Sequence, residues 1–105
     1  MYAYTMHVPA PPETYLALHQ AVADVISEEG GGEGLILHLA HPTDLGFDLT
    51  EVWESRQQLD AFNETVFAQA MARAGISMDG PPPQTVELDA LAVVTSRAFT
   101  SDAMV

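Results

Sequence analysis

The run Leu49-Thr50-Glu51-Val52-Trp53-Glu54-Ser55-Arg56-Gln57-Gln58-Leu59 holds the end of one element and the start of the next. As far as Trp53 it alternates, with Glu51 and Trp53 facing one way and Thr50 and Val52 the other, which is the period of a strand. Ser55 to Gln58 then fits a capping box: a serine that caps a helix, and a glutamine three residues on whose side chain reaches back. Beyond it Leu59, Phe62, Val66 and Ala70 recur at helical spacing, while Phe67, Met71 and Ala74 form a second, offset set. Two offset sets with Asn63-Glu64-Thr65 between them predict a helix that bends or splits near Thr65. Gly75 closes it, and Arg73 complements its C-terminal dipole.

Upstream, Gly34 to His41 reads Gly-Leu-Ile-Leu-His-Leu-Ala-His. Leu35, Leu37 and Leu39 take one side of a strand, and Ile36, His38 and Ala40 the other. A strand apolar on both faces needs cover on both faces. Two helices of the chain supply one cover. The simplest second cover is a symmetry copy, so a homodimer through the sheet face is expected. Pro42-Thr43-Asp44-Leu45-Gly46 turns the chain, and Phe47 to Glu54 returns as the antiparallel hairpin partner.

Tyr2 to Val8 alternates as a first strand, with Tyr2, Tyr4, Met6 and Val8 on one side and Ala3, Thr5 and His7 on the other. Pro9, Pro11 and Pro12 end it. Glu13 to Glu28 is a helix whose stripe is Tyr15, Leu18, His19, Val22, Val25 and Ile26, so His19 should face the sheet. Gly30-Gly31-Gly32 follows that helix rather than preceding one, and no lysine comes after it, so it is not a phosphate loop. Asp79 to Gln84 is a stiff, proline-rich linker. Thr85 to Thr95 is the fourth strand, and 96–105 is a polar tail, flexible or crossing to a partner. Residues 1–95 therefore form one α+β domain in the order β-α-β-β-α-β, a ferredoxin-like unit with antiparallel sheet order 4-1-3-2.

Composition narrows the function classes. The 105 residues carry a formal charge of −12, with three Lys or Arg in all. These are Arg56, Arg73 and Arg97. Phosphate binding needs cations, so neither a nucleic acid nor an anionic membrane is an expected partner. The absence of cysteine excludes disulfides, thiolate metal sites and cysteine nucleophiles. No apolar run approaches the roughly 20 residues of a membrane span. The N-terminus shows no basic region leading into an apolar core, so a cytoplasmic protein is expected.

Gly34-Leu-Ile-Leu-His38, then Glu51-Val-Trp53-Glu54-Ser55 with Leu59 and Phe62, resembles the dimeric α/β-barrel proteins. Within them the chain is most similar to small actinobacterial-type proteins related to antibiotic-biosynthesis monooxygenases. The likeness covers roughly residues 1–75 well and the fourth strand weakly. It implies a dimeric α/β barrel and, among the activities of such proteins, cofactor-free oxygenation of quinols or anthrones. Haem-degrading members carry a histidine late in the second helix, where this chain reads Phe67-Ala-Gln-Ala-Met71-Ala-Arg73. The histidine-asparagine pair that relatives place in the fourth strand is Asp89-Ala90 here.

The residues most able to carry chemistry are His38, Glu51 and Trp53. Two hairpin registers are open, and a one-residue slip flips every side chain. If His41 pairs with Asp48, His38 lies opposite Glu51 and Ile36 opposite Trp53. If His41 pairs with Phe47, His38 lies opposite Thr50 on the other face. The resemblance favours the first. A half-buried glutamate beside histidine favours the imidazolium and fixes one tautomer, making His38 a candidate general base and Glu51 its orienting partner. Trp53, Tyr4, Tyr15, His19, His7 and Phe62 are the candidate pocket lining, for an apolar aromatic, polyketide-like small molecule. No cofactor is implied, and the histidine spacing predicts no metal site. The alternative is a non-catalytic, ligand-binding or scaffold homodimer in which His38 and Glu51 are a structural pair.

Overall fold

The computed structural model describes residues 1–76, 82–89 and 93. The elements run β1 (Tyr2–Val8), α1 (Pro12–Glu29), β2 (Leu35–Thr43), β3 (Gly46–Trp53), α2 (Arg56–Phe62), α3 (Ala68–Ala74) and β4 (Gln84–Leu88). The four strands form one antiparallel sheet in the order β2-β3-β1-β4, which is the expected ferredoxin-like arrangement. Within the fourth strand, residues beyond Asp89 lie outside the described set except Val93, as do the tail and part of the linker.

The hairpin adopts the register with His41 opposite Asp48 and His38 opposite Glu51. One detail is corrected. A bulge between Leu35 and Leu37 inserts an extra residue, so Leu35 rather than Ile36 lies opposite Trp53. Glu54 donates its N–H to the Gly34 carbonyl at 2.7 Å and closes this end of the hairpin.

Ser55 caps α2 as read, its hydroxyl oxygen accepting from the Gln58 N–H at 3.2 Å. The reciprocal half of the capping box differs. The Gln58 side chain accepts the Ser55 hydroxyl proton at 2.9 Å and donates to Glu54 at 3.3 Å. The expected break near Thr65 is a π-helical turn over Asn63–Phe67 that joins α2 to α3. There the Thr65 hydroxyl donates to the Ala61 carbonyl at 2.7 Å, a back-bond that accompanies helix bending. Gly75 ends α3 in the left-handed conformation that glycine tolerates. Arg73 also bridges to Glu28 of α1 at 2.6 Å.

The core sits between the helices and one sheet face. Ala21, Val25, Val66 and Ala70 join the helices to each other. Tyr4, Trp53 and Leu59 join them to the sheet, with Phe62 packed against both groups. Gly31 lies so close under Val66 that a Cβ there would collide with it. On the opposite sheet face Leu37, Leu39, Val86 and Leu88 are exposed, whereas Ala3 and Val52 are buried. Among the described residues no helix is long and apolar enough to cross a membrane.

Candidate functional site

Cross-strand register assembles the site. Tyr4 on β1, Glu51 on β3 and His38 on β2 are consecutive partners across the sheet. Side chains directly opposite stand within contact distance, so the three meet on the helix-facing side. Trp53, two residues along β3, shares that face. Glu51 is 5% exposed and accepts three hydrogen bonds. Trp53 Nε1–H donates to Oε1 at 3.0 Å, and the Tyr4 hydroxyl donates to the same oxygen. His38 Nδ1 lies 2.6 Å from Oε2.

Helix α1 covers the outer end of this row. Its Tyr15 hydroxyl lies 2.7 Å from His38 Nε2 and 3.3 Å from Nδ1 of His19, one turn further on. The Tyr15 ring stacks on both imidazoles, with centroids at 5.6 Å to His19 and 5.9 Å to His38, and meets Phe47 edge-on at 5.4 Å. The chain of contacts thus runs from buried Trp53 and Tyr4 through Glu51, His38 and Tyr15 to exposed His19.

Electrostatics give these contacts a direction. Burial alone would raise the Glu51 pKa, but the hydrogen bonds from His38, Tyr4 and Trp53, with the His38 charge, hold it below its ordinary value. Burial pushes the Tyr4 hydroxyl up, and its bond to the Glu51 carboxylate adds to that. Burial and the Glu51 charge also raise Tyr15. Glu51 is therefore the anionic acceptor, and both tyrosines keep their protons. A carboxylate can only accept, so a neutral His38 carries its proton on Nδ1 and presents a lone pair at Nε2.

Of the residues expected to line a pocket, Tyr4, Tyr15 and His19 join His38, Glu51 and Trp53 in this network. His7 does not. It lies on the sheet face away from the helices, 2.8 Å from Asp48, which has His41 on its other side at 4.0 Å. His19 packs at the rim rather than under the helix and is exposed. Trp53 is fully buried, with Phe62 at 5.3 Å, so the expected cage between sheet and helices is filled at this point by side chains. Two open clefts among the described residues lie away from it. One, of about 280 Å³, runs between Pro9–Pro12 and the β2–β3 turn; the other, of about 110 Å³, lies beside Gly31, Gln58 and Phe62. The expected pairing of His41 with Asp48 holds, and what sequence reasoning missed is that His7 stands opposite Asp48 from the other side.

No protein-family model matches the chain, and no curated protein does. Solved structures do. One is described as an antibiotic biosynthesis monooxygenase, at 15% identity and a TM-score of 0.58, with 86% of this chain and 98% of that one covered. Another is Rv0793 from Mycobacterium tuberculosis, at 18% identity and 0.56, covering 90% and 98%. A third is NE2512, a protein of unknown function from Nitrosomonas europaea, at 21% identity and 0.55, covering 90% and 94%. At these identities the likeness establishes the fold. It is the ferredoxin-like fold of antibiotic-biosynthesis-monooxygenase-like proteins.

Proposed function

We propose that this chain is a small-molecule-binding protein with a cofactor-independent, monooxygenase-like activity on an aromatic, polyketide-like substrate. His38 is its general base and Glu51 the residue that orients that base. One observation carries the reading. A buried, ionised Glu51 holds His38 through Nδ1 and turns Nε2 toward the exposed rim, where it is 2.7 Å from the Tyr15 hydroxyl. The substrate class follows from the chemistry: a phenol or anthrone has a proton that an imidazole can take, and its electron-rich anion reduces dioxygen directly. For an anthrone, one oxygen atom becomes the new ring carbonyl, and the other leaves as water with the two methylene hydrogens. Because Trp53 and Phe62 fill the space beneath, the substrate lies over the rim formed by Tyr15, His19 and His38. The fold shared with an antibiotic biosynthesis monooxygenase supports the assignment.

We also infer a cytoplasmic homodimer. Leu37, Leu39, Val86 and Leu88 are exposed on the sheet face away from the helices, on either side of the buried Ala3 and Val52. A second copy offers the same strip and needs no other partner to cover it. Sedimentation should give a dimer at micromolar concentration, and Leu39→Asp should shift it to monomer. A wild-type monomer contradicts this.

A second reading has its own support. Among the described residues every buried side-chain nitrogen and oxygen has a partner, and Trp53 is wholly packed, as a purely structural pair of strands would require. In that case the chain is a non-catalytic ligand-binding or scaffold dimer. An oxygen electrode separates the two. The enzyme reading expects oxygen uptake with anthrone that His38→Ala abolishes. Ligand-induced thermal shifts with no uptake assign the second.

A further inference from the structure

Both ring nitrogens of His38 are engaged within the chain. Nδ1 is held by Glu51 at 2.6 Å, and Nε2 by the Tyr15 hydroxyl at 2.7 Å. No nitrogen is left for a ligand while Tyr15 keeps this position, and Tyr15 is fixed by several contacts. Its ring lies at 18° to His38 and 28° to His19, and its edge meets Phe47. A base that touches substrate directly requires Tyr15 to leave. A base reached through Tyr15 does not.

The hydroxyl has the valences for that task. A phenol oxygen has one proton to donate and two lone pairs. The proton goes to His38 Nε2, which is an acceptor when Glu51 holds the ring proton on Nδ1. One lone pair accepts from His19 Nδ1–H at 3.3 Å. The other is free for an incoming donor. The groups facing His38 are then Glu51 on β3 and Tyr15 and His19 on α1, with Tyr4 acting on it through Glu51.

We propose that Tyr15 is the catalytic residue that meets the substrate, and that it passes the substrate's acidic proton to His38. This rests on the general-base reading above and refines it. The substrate is an aromatic carbon or oxygen acid small enough to place that proton on the Tyr15 oxygen. As its C–H or O–H bond breaks, the proton bonds to the Tyr15 oxygen, the Tyr15 O–H bond breaks, and that second proton bonds to His38 Nε2. The electron pair stays on the substrate as carbanion or phenolate. Tyr15 is neutral before and after, and His38 becomes an imidazolium against the Glu51 carboxylate. His19 is a positioning residue that keeps the hydroxyl turned toward His38.

The test uses anthrone without oxygen, following exchange of its methylene protons for deuterium by NMR. The wild-type protein accelerates exchange over buffer. Tyr15→Phe keeps the ring and its stacking but lacks the hydroxyl, and slows exchange by roughly 100-fold, the usual size of a positioned proton-transfer group. His38→Ala falls to the buffer rate. A second measurement needs no variant: deuterium is washed out of dideuterated anthrone in mixtures of light and heavy water. The substrate's deuteron is fixed at the start, so the one solvent-derived proton in flight is that of the Tyr15 hydroxyl, and the relay makes the rate fall linearly with deuterium fraction. Tyr15→Phe as fast as wild type beside a silent His38→Ala, or a rate that does not change with the deuterium fraction of the mixture, overturns the relay and leaves the general base standing. Wild type no faster than buffer, or His38→Ala as fast as wild type, overturns the general base and the relay together.

Discussion

Replacing Glu51 with glutamine keeps the shape of the side chain and removes its charge. Three donors converge on the carboxylate: Trp53 Nε1–H at 3.0 Å and the Tyr4 hydroxyl on one oxygen, and His38 Nδ1 at 2.6 Å on the other. A carboxamide has one oxygen and one NH2. With its oxygen toward Trp53 and Tyr4, its NH2 faces His38 Nδ1, and the imidazole must move its proton to Nε2. That proton then meets the Tyr15 hydroxyl, which must turn to His19. The opposite orientation points NH2 at two buried donors, which is worse. Either way one charge-assisted bond is lost, at about 1.5–3 kcal/mol. In a domain near this size that lowers the thermal midpoint by roughly 10 °C.

The same substitution carries a sign in pH. The Glu51 pKa is lowered in the fold despite burial, so the folded carboxyl binds its proton more weakly than the unfolded one, near 4.3. Its contribution to stability is fully present above the unfolded value and is lost as pH falls through it toward the folded value. Urea unfolding at fixed protein concentration, from neutral pH down to about pH 3, should therefore show wild type losing stability more steeply than Glu51→Gln, with the two curves converging in acid. Equal stabilities at neutral pH with parallel curves would refute the claim that this carboxylate is the hub of the network.

Three further outcomes follow from the same structure. Tyr4→Phe removes one donor from Glu51; it should lower stability by about 1 kcal/mol and move the acid loss to higher pH, both read from the same urea series. Gly31→Ala places a methyl group against Val66 at a positive φ of 114° and should lower stability by about 1–3 kcal/mol, as overpacking does, whereas an unchanged urea midpoint contradicts the packing described. A formal charge of −12 repels itself, so raising sodium chloride from about 10 mM to about 1 M should raise the melting temperature, because the Debye length falls to roughly 3 Å; a fall contradicts this.

Most of the fold could be read from local chemistry. Alternation in Tyr2–Val8 and around Trp53, the Ser55 cap and the twin helical stripes each depend on neighbours in sequence. They gave the element order, and with it a sheet of the observed topology. The split of the second helix was also visible, because the apolar stripe shifts across Asn63–Thr65 and a π turn absorbs one extra residue. The bulge at Ile36 was not, since every residue of Leu35–Leu39 except His38 is apolar and the run looks the same in either phase. Nor was the filling of the expected cage: Trp53, Tyr4 and Phe62 as aromatic residues suit a pocket wall and a packed core equally well. His7 was misplaced although the signal was present. It stands three residues from Tyr4 on one strand, and an odd separation puts the two on opposite faces. The contact of Tyr15 with His38 depends on how α1 lies across the sheet, which no local pattern encodes.

Nitrogen-15 NMR of His38 tests the account most directly, because every functional step begins from its tautomer. In the neutral ring the network requires Nδ1 to carry the proton, facing the Glu51 carboxylate, and Nε2 to be bare and to accept a hydrogen bond from Tyr15. A His38 protonated on Nε2 and bare at Nδ1 would set a lone pair against the carboxylate at 2.6 Å, and would contradict both the ionised Glu51 and the base it is argued to hold.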